Sequence, residues 1–243
     1  GIERVMIGIE DNKPDAVEAM RKACEKYAEF SVTALKTKYP QGGEKQLVYA
    51  LTGRTVKMGG LPLDVGAVVC NVGTCHALCR AAYEGRPIVD RVVTVGGCVQ
   101  NPANYLVRIG TPVEWLLDTS KGLLPETKML IYGGPMMGTC VADLSQPILK
   151  NNNAVLAFSE KLARLPKKTN CIHCGRCVNA CPLGLAAKDI VKAYDNGNVE
   201  LLQELNADLC MSCGTCSFVC PAKRPLAPSI ALAKIMMKNG GKK

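Results

Sequence analysis

Aromatic side chains are scarce in this chain: they make up 5% of its 243 residues, with only three Phe and one Trp. No Arg-rich stretch resembles a recognition helix, so the sequence favours no nucleic-acid partner. No apolar run approaches the roughly 18 residues that a membrane-spanning helix needs. Neither a secretion signal nor a catalytic triad or carboxylate pair is visible. We therefore expect a protein whose chemistry does not rest on side-chain acids and bases.

Cysteine, in contrast, is abundant. The chain has fourteen cysteines, and 48% of its residues are apolar, enough to form a core. Disulfide scaffolds are typically short secreted chains, whereas this chain is long and lacks a secretion signal. The cysteine content therefore favours an intracellular metal or redox protein.

Eight of the cysteines fall in two similar runs. Residues 171–182 read CIHCGRCVNACP, and residues 210–221 read CMSCGTCSFVCP. Each run has the spacing C-x2-C-x2-C-x3-C-P, which is typical of ferredoxins with two four-iron clusters. In such ferredoxins the first three cysteines of a run bind one cluster and the fourth binds the other.

This pattern predicts two ligand sets that exchange their fourth members. One comprises Cys171, Cys174, Cys177 and Cys220, and the other comprises Cys210, Cys213, Cys216 and Cys181. Gly175 and Gly214 would let the backbone bend closely around each cluster. Zinc and disulfides are the alternatives, but structural zinc sites usually pair C-x2-C elements into four ligands. The 28 residues between Cys181 and Cys210 look helical, which predicts a helical ferredoxin domain.

Six further cysteines lie outside these runs: Cys24, Cys70, Cys75, Cys79, Cys98 and Cys140. Free cysteine is commonly buried as a small apolar residue, so we expect these side chains to be buried. A further metal site at the closely spaced Cys70, Cys75 and Cys79 is the alternative.

Upstream of the runs, hydrophobic periodicity predicts an α/β layer with parallel strands. Strands are predicted at 4–10 and 31–36, with another short apolar run at 66–72 and helices from Pro14, at 44–51 and around 74–83. A β-rich α+β module follows near residue 90, and from about residue 153 the pattern becomes helical. The predicted domains are residues 1–88, 89–152 and 153–243.

Two upstream segments are candidates for a cofactor site. Residues 39–47 read YPQGGEKQL, and residues 70–76 read CNVGTCH. Gly42 and Gly43 would let backbone amides approach a phosphate or ring system, while Asn71 and Thr74 would supply hydrogen bonds. A Gly-rich turn before a helix, with Asn71 or Thr74 as a helix cap, is the simpler interpretation.

Several segments together resemble the C subunit of the Rnf complex, the membrane-associated ion-translocating ferredoxin:NAD oxidoreductase. They run in the same order along nearly the whole chain: GIEDNKPDAVEAM, YPQGGEKQLVYALTGR, LPLDVGAVVCNVGT, RVVTVGGCVQNP, RIGTPVEWLL and the paired cysteine runs. They are more distantly similar to the flavin-bearing, NADH-oxidising subunit of respiratory complex I. The resemblance implies a partial Rossmann-like flavin domain, a soluble-ligand-binding β-grasp (SLBB-type) module and a helical ferredoxin domain with two [4Fe-4S] clusters.

The complex I relative carries YxxGEE and NNVET motifs around FMN. Tyr39, Gly42 and Glu44 match the first motif, and Gly43 replaces its first glutamate. Asn71 and Thr74 match the second motif, in which Cys70 and Gly73 replace an asparagine and a glutamate. The family's glycine-rich loop over FMN and NADH lies upstream. The resemblance therefore implies that this chain is the C-terminal part of the subunit and carries an incomplete FMN site.

The resemblance also implies a function. Electrons would pass between NAD(H), FMN and two [4Fe-4S] clusters in a subunit at the cytoplasmic side of the membrane. Its partners would be the cluster-bearing B subunit and the integral-membrane subunits, with ferredoxin reached indirectly. A soluble flavin and iron–sulfur adaptor coupled to a cytosolic reductase is the alternative.

The formal net charge is +9. The excess is concentrated at Lys161, Arg164, Lys167 and Lys168 and in the Lys-rich tail. Such a run is usually solvated surface, although it also suits a docking face for an acidic redox partner or an anionic membrane.

Overall fold

A computed structural model describes residues 2–240, so Lys242 and Lys243 of the basic tail lie outside the described residues. The first part of the chain forms strand β1 (Val5–Glu10), helix α1 (Pro14–Cys24), strand β2 (Phe30–Leu35), helix α2 (Glu44–Thr52) and helix α3 (Val72–Glu84). A short 3-10 turn, Pro62–Val65, lies between α2 and α3.

Strands β1 and β2 pair in parallel, with Val5 opposite Phe30 and Glu10 opposite Leu35. The predicted parallel α/β arrangement is therefore confirmed for these elements, and α1 begins at Pro14 as predicted. Residues 66–72 form no strand: residues 67–71 have no regular secondary structure, and α3 begins at Val72 after its Asn71 cap. Val68 and Val72 are both exposed, so the apolar side chains of this run are not buried against a neighbouring strand.

The middle part is a five-stranded sheet in the order β4-β3-β7-β5-β6. Strand β3 (Asp90–Gly97) pairs antiparallel with β4 (Ala103–Arg108) and parallel with β7 (Ala154–Ser159). Strand β5 (Thr127–Tyr132) joins β7 to the two-residue strand β6 (Thr139–Cys140). Helix α4 (Val113–Thr119) buries Val113, Leu116 and Leu117 in the same core as the sheet residues Val93, Val95 and Val155.

The helical expectation from about residue 153 is wrong for Ala154–Ser159. These residues form the sheet's middle strand, and Val155 and Ala157 are almost fully buried. The run AVLAFS is short and apolar, and periodicity alone does not separate a buried strand from a buried helix. The domain boundaries after residues 88 and 152 stay predictions, although the sheet itself continues to Ser159.

Gly97 marks the closest backbone approach within this sheet. Its φ is +82°, and an added Cβ would lie 3.0 Å from the carbonyl carbon of Ala157 on the neighbouring strand. We expect Gly97→Ala to destabilise the sheet by about 3 kcal/mol, because strain at a positive φ adds to displacement of the backbone. Amide hydrogen exchange of Val93 and Val155 measures this loss.

Gly96→Ala is the matched control for that substitution. A Cβ at Gly96 meets only the Leu156 Cδ2 methyl, at an ordinary 3.5 Å. Equal loss of exchange protection in the two variants would show that the approach of Gly97 to Ala157 does not limit this sheet.

The last part is helical. It contains α5 (Glu160–Ala163), α6 (Arg176–Asn179), α7 (Ala187–Asp195), α8 (Val199–Glu204), α9 (Thr215–Phe218) and α10 (Leu226–Lys238). Helix α7 buries Ala187, Ile190 and Val191, which share one face through their spacing of three and four residues. They pack with Leu202 and Ile230 in one core that also contains Cys177, Cys216 and Cys220. The predicted helical segment between the two cysteine runs is thus confirmed.

Within residues 2–240, no helix combines the length and the apolar composition that crossing a bilayer requires.

Candidate functional site

The two cysteine runs fold into loops of the same shape. Gly175 and Gly214 occupy equivalent positions and both have left-handed backbones, with φ of +74° and +82°. His173 and Ser212, the residues before the second cysteine of each run, also match, with φ of 55° and 56°. A left-handed conformation is uncommon for residues other than glycine, so its repetition indicates that both loops are built around the same kind of centre.

Each loop borders its own cavity. The cavity of the first loop is lined by Cys171, Cys174, Cys177 and Cys220 and has an empty volume of about 360 Å³, part of it open to solvent. The cavity of the second loop is lined by Cys181, Cys210, Cys213 and Cys216 and has an empty volume of about 370 Å³. We call these sets the first and the second cysteine group. The fold thus brings together the same four cysteines that the spacing predicts for each cluster.

The thiols of the second group lie in an apolar environment, with Cys213 and Cys216 buried and Cys181 and Cys210 partly buried. Burial, together with the neighbouring Cys210 thiol, raises the pKa of the Cys216 thiol to about 11. Burial also raises the pKa of Cys210, against the opposing effects of the Ser212 amide and the Lys234 ammonium. A metal centre requires thiolates, so its positive charge would replace the protons that burial otherwise retains.

Polar groups around the sulfurs are few and specific. The backbone N–H of Ser212 donates to Cys210 Sγ over 3.4 Å, and Cys213 Sγ lies 3.3 Å from Thr215 Oγ1. In the first group, burial raises the pKa of the Cys177 thiol, while the backbone N–H of Lys188 donates a hydrogen bond to it. Donors of this kind stabilise thiolate ligands and tune cluster potentials.

Four thiols around a cavity fit a cluster better than a single ion. In the described part of the chain, no three His, Cys, Asp or Glu side chains lie close enough to hold one metal ion. A four-iron cluster places a separate iron beneath each thiolate, so its ligands surround a cavity instead of converging on a point. The two cysteine groups therefore fit two four-iron clusters.

The second cysteine loop contacts both upstream parts of the chain. Tyr39 Oη donates a hydrogen bond to the backbone carbonyl of Cys213 over 2.7 Å. Gln46 Nε2 approaches Met211 Sδ at 3.9 Å. On the side of the sheet, the backbone carbonyl of Met136 lies 2.7 Å from where a Cβ on Gly214 would be. The second cysteine loop is therefore packed against both upstream parts of the chain.

Residues 39–47, which the family resemblance places at FMN and which we call the flavin segment, lie beside this loop. Gly43 precedes α2 and Glu44 is its first residue, so free backbone amides are available at the start of that helix. Space around Gly42 is open, and the Gln41 Oε1 atom is buried without a hydrogen-bond partner. A cavity of about 930 Å³, partly open to solvent, is bordered by Glu44, Gln46 and Met211. These features fit part of a flavin site.

Residues 70–76, the other candidate cofactor segment, form no such hydrogen bond with the described residues of the cysteine loops. Asn71 caps α3 by accepting a hydrogen bond from the Gly73 N–H over 2.9 Å, and Thr74 lies exposed in the first turn. Helix α3 has no buried residue. Among residues 2–240, no hydrogen bond or ion pair joins residues 71–74 to residues 39–44. The structure therefore shows Asn71 as a helix cap.

The expected burial of the six remaining cysteines is wrong for four of them. Cys70, Cys75, Cys79 and Cys140 are exposed, and Cys24 and Cys98 are partly buried. Three of the exposed cysteines lie on or next to α3, whose surroundings supply no core. Partial burial and the neighbouring Cys70 thiol raise the pKa of Cys75. Cys70 and Cys75 lie close together because Cys70 precedes the Asn71 cap and Cys75 follows the first turn of α3, two positions where hydrophobic side chains often meet.

Four residues near the site were not predicted from the sequence: Gln41, Met211, Lys188 and Arg224. The first two lie at the junction of the flavin segment and the second cysteine loop, and the last two line the first cavity. A lone Gln or Met carries no sequence signal, because its partner comes from a distant segment. The cations follow the cysteine runs at short intervals, which is a weak signal for Lys188 and Arg224.

Family models match three segments of the chain. Residues 1–80 match the Nuo51 FMN-binding domain, residues 92–139 match the SLBB domain, and residues 170–223 match the 4Fe-4S dicluster domain. Their order confirms the predicted succession of a flavin-type domain, a β-grasp module and a two-cluster ferredoxin domain.

Curated relatives cover most of the chain. It is 41% identical, over 96% of its length, to the C subunit of the Na(+)-translocating ferredoxin:NAD(+) oxidoreductase complex of Acetobacterium woodii. It is 48% identical, over 76% of its length, to the C subunit of the proton-translocating complex of Clostridium ljungdahlii. A third relative, the C subunit of the ion-translocating oxidoreductase complex of Yersinia enterocolitica, is 42% identical over 77% of the chain. The chain spans 53%, 40% and 27% of these relatives, respectively.

A solved structure shares the fold. The chain aligns over 96% of its length with 47% of a chain in an NAD+-reducing [NiFe]-hydrogenase in the H2-reduced state. The TM-score is 0.56 and the sequence identity is 17%, and the air-oxidised state gives the same TM-score.

Proposed function

Because the chain belongs to the family of the C subunits of ion-translocating ferredoxin:NAD(+) oxidoreductase complexes, we propose that it is the electron-transferring part of such a protein. It would pass electrons between a flavin-binding domain and two [4Fe-4S] clusters. The single observation that carries this proposal is the hydrogen bond from Tyr39 to the Cys213 carbonyl, which joins the flavin segment directly to the second cysteine loop.

The chain's residues have distinct parts in this proposal. The first and second cysteine groups would each hold one cluster, and residues 39–44 would form part of the FMN site. When bound, FMN would exchange hydride with NAD(H) and single electrons with the clusters. Tyr39 and Gln46 keep the two sites adjacent by holding the second loop against the flavin segment. Asn71 and Thr74 would contact the flavin only where other residues of the full-length subunit complete the site.

The surroundings of each cysteine group indicate which redox partner it would serve. The second group contacts the flavin segment, so it would serve the flavin side. The first group contains the exposed Cys174 and would serve the partner side. We propose that the partners are the other subunits of the complex, namely a cluster-bearing subunit and the integral-membrane subunits. The chain would then lie at the cytoplasmic face of the membrane without spanning it.

Metal and cofactor analysis of the full-length subunit, purified without oxygen, tests this proposal. We expect about eight irons and about eight labile sulfides per chain, because each cysteine group would hold four of each. Released flavin should accompany the full-length subunit. Zinc without labile sulfide would refute the electron-transfer function.

Co-purification tests the proposed setting of the subunit. Tagged full-length subunit should bring down integral-membrane subunits in mild detergent. If instead it purified only with a cytosolic reductase, the soluble adaptor would be the correct function and the membrane complex would be excluded.

A further inference from the structure

The first cysteine group has one cysteine at the molecular surface, whereas the second group has none. Cys174 is exposed, and the neighbouring Ile172 side chain is 67% exposed. In the second group, Cys213 and Cys216 are buried and the other two cysteines are partly buried. Electron transfer between proteins requires close approach of the two centres, so the first group is the one that a separate protein can reach.

Positive charge is concentrated in the sequence around the first cysteine run. Residues 161–188 contain six Lys or Arg and no Asp or Glu. The Thr169 N–H donates to the Ala222 carbonyl over 3.0 Å, which fixes the segment before the first run beside the segment after Cys220. This hydrogen bond places Lys167 and Lys168 beside the segment that carries Lys223. We call the exposed side chains of Lys167, Lys168, Arg176 and Lys223 the basic rim.

Acidic side chains of the described residues leave the basic rim unpaired. Lys188 and Arg224 line the cavity itself and face acidic partners, at 2.8 Å from Asp189 and 3.8 Å from Asp195. Within residues 2–240, none of the four rim side chains forms an ion pair. The acidic residues between 161 and 240 all fall at positions 189–208, in or next to the helical segment between the runs. The charge therefore remains available to an external partner.

We propose that the basic rim docks an acidic surface of a separate iron–sulfur protein, with Ile172 at the centre of the contact. This inference rests on the proposed function of the first group as the partner-facing site. One electron would cross the interface, so one cluster is oxidised as the other is reduced, and no bond or proton changes. An apolar centre inside a charged rim is the usual composition of such interfaces, and opposite charge accelerates encounter.

Reversal of the rim charges in the full-length, cluster-loaded subunit tests the docking site. The probe is an acidic two-cluster ferredoxin, and the variant is Lys167→Glu/Lys168→Glu/Lys223→Glu. At low ionic strength we expect its equilibrium dissociation constant for the oxidised probe to rise at least about tenfold and the association rate to fall about 10- to 100-fold. Added salt should weaken binding of the unaltered subunit much more than binding of the variant.

Lys22→Glu/Lys26→Glu/Lys150→Glu is the control variant, because it changes the net charge equally at exposed lysines outside the ferredoxin part. It should bind the probe as the unaltered subunit does. Equal weakening in both variants would overturn the proposal in favour of a general charge effect. Unchanged probe binding by the rim variant, with loss of binding to vesicles of anionic phospholipid, would overturn it in favour of a membrane contact.

NADH-dependent reduction of a small neutral quinone separates this proposal from the proposed function. If the rim variant keeps quinone reduction and loses ferredoxin binding, both proposals stand. If the rim variant keeps both quinone reduction and ferredoxin binding, only the docking site is wrong. If the unaltered subunit does not reduce the quinone, the proposed function itself fails.

Discussion

Replacing Cys220 and Cys171 together by alanine should remove only one cluster and leave about four irons per chain. Although these residues belong to different runs, they line the same cavity. Replacing Cys220 and Cys210 together should remove nearly all the iron, although both belong to the second run, because they line different cavities. Iron and labile sulfide, measured on anaerobically prepared full-length subunit, distinguish these outcomes.

The reverse result would show that each run binds its own cluster. In that case the Cys220/Cys210 double variant would keep about half of the iron and the Cys220/Cys171 variant would lose nearly all of it. Cys140→Ala is the control, since Cys140 is an exposed cysteine that lines neither cavity. It should retain the full iron content.

Loss of both clusters should also destabilise the helical part. Cys177, Cys216 and Cys220 are members of the core formed by α7, α8 and α10. The largest apolar side chains of that core, among them Ile190, Leu202 and Ile230, are almost fully buried. Metal binding at such a position is coupled to folding, so thermal unfolding of residues 161–240 should follow the iron content of these variants.

The sequence predicts the two cysteine sets because ligand spacing is a local property. Three ligands within seven residues fix the shape of each loop, and the exchange of the fourth cysteine follows from the repeated run. The equal φ values of His173 and Ser212 show that the repetition extends to the backbone. A short motif can therefore specify a site when one cofactor imposes the same geometry twice.

The structure differs from the sequence predictions in segments whose conformation or burial depends on tertiary neighbours. Residues 66–72 are as apolar as a strand but have no neighbouring strand, and Ala154–Ser159 become a strand because β3 and β5 flank them. Cys75 and Cys79 are exposed because α3 packs no side chain into a core. Likewise, the contact between Tyr39 and Cys213 joins residues 174 positions apart, and no local pattern encodes it.

Gly214→Ala should weaken the packing of the second cysteine loop against residues 133–138 beside the sheet. Gly175→Ala, at the equivalent position of the first loop, should disturb no such contact. Both glycines have left-handed backbones, so alanine costs each about 1 kcal/mol of conformational strain. Only at Gly214 does the added Cβ meet a neighbour, the Met136 carbonyl at 2.7 Å, while the space around Gly175 is open. Because that neighbour is backbone, it can give way only if residues 133–138 move. We expect a total loss of about 2–4 kcal/mol for Gly214→Ala.

Hydrogen exchange of residues 133–140 and 210–216 measures this difference, since about 1.4 kcal/mol corresponds to a tenfold change in protection when exchange follows local opening. Gly214→Ala should lower protection in both segments by about tenfold or more, and Gly175→Ala should leave residues 133–140 unchanged. Equal responses would mean that the Met136 contact does not hold the second loop. The Tyr39 hydroxyl, which donates to the Cys213 carbonyl, would then be the next group to remove.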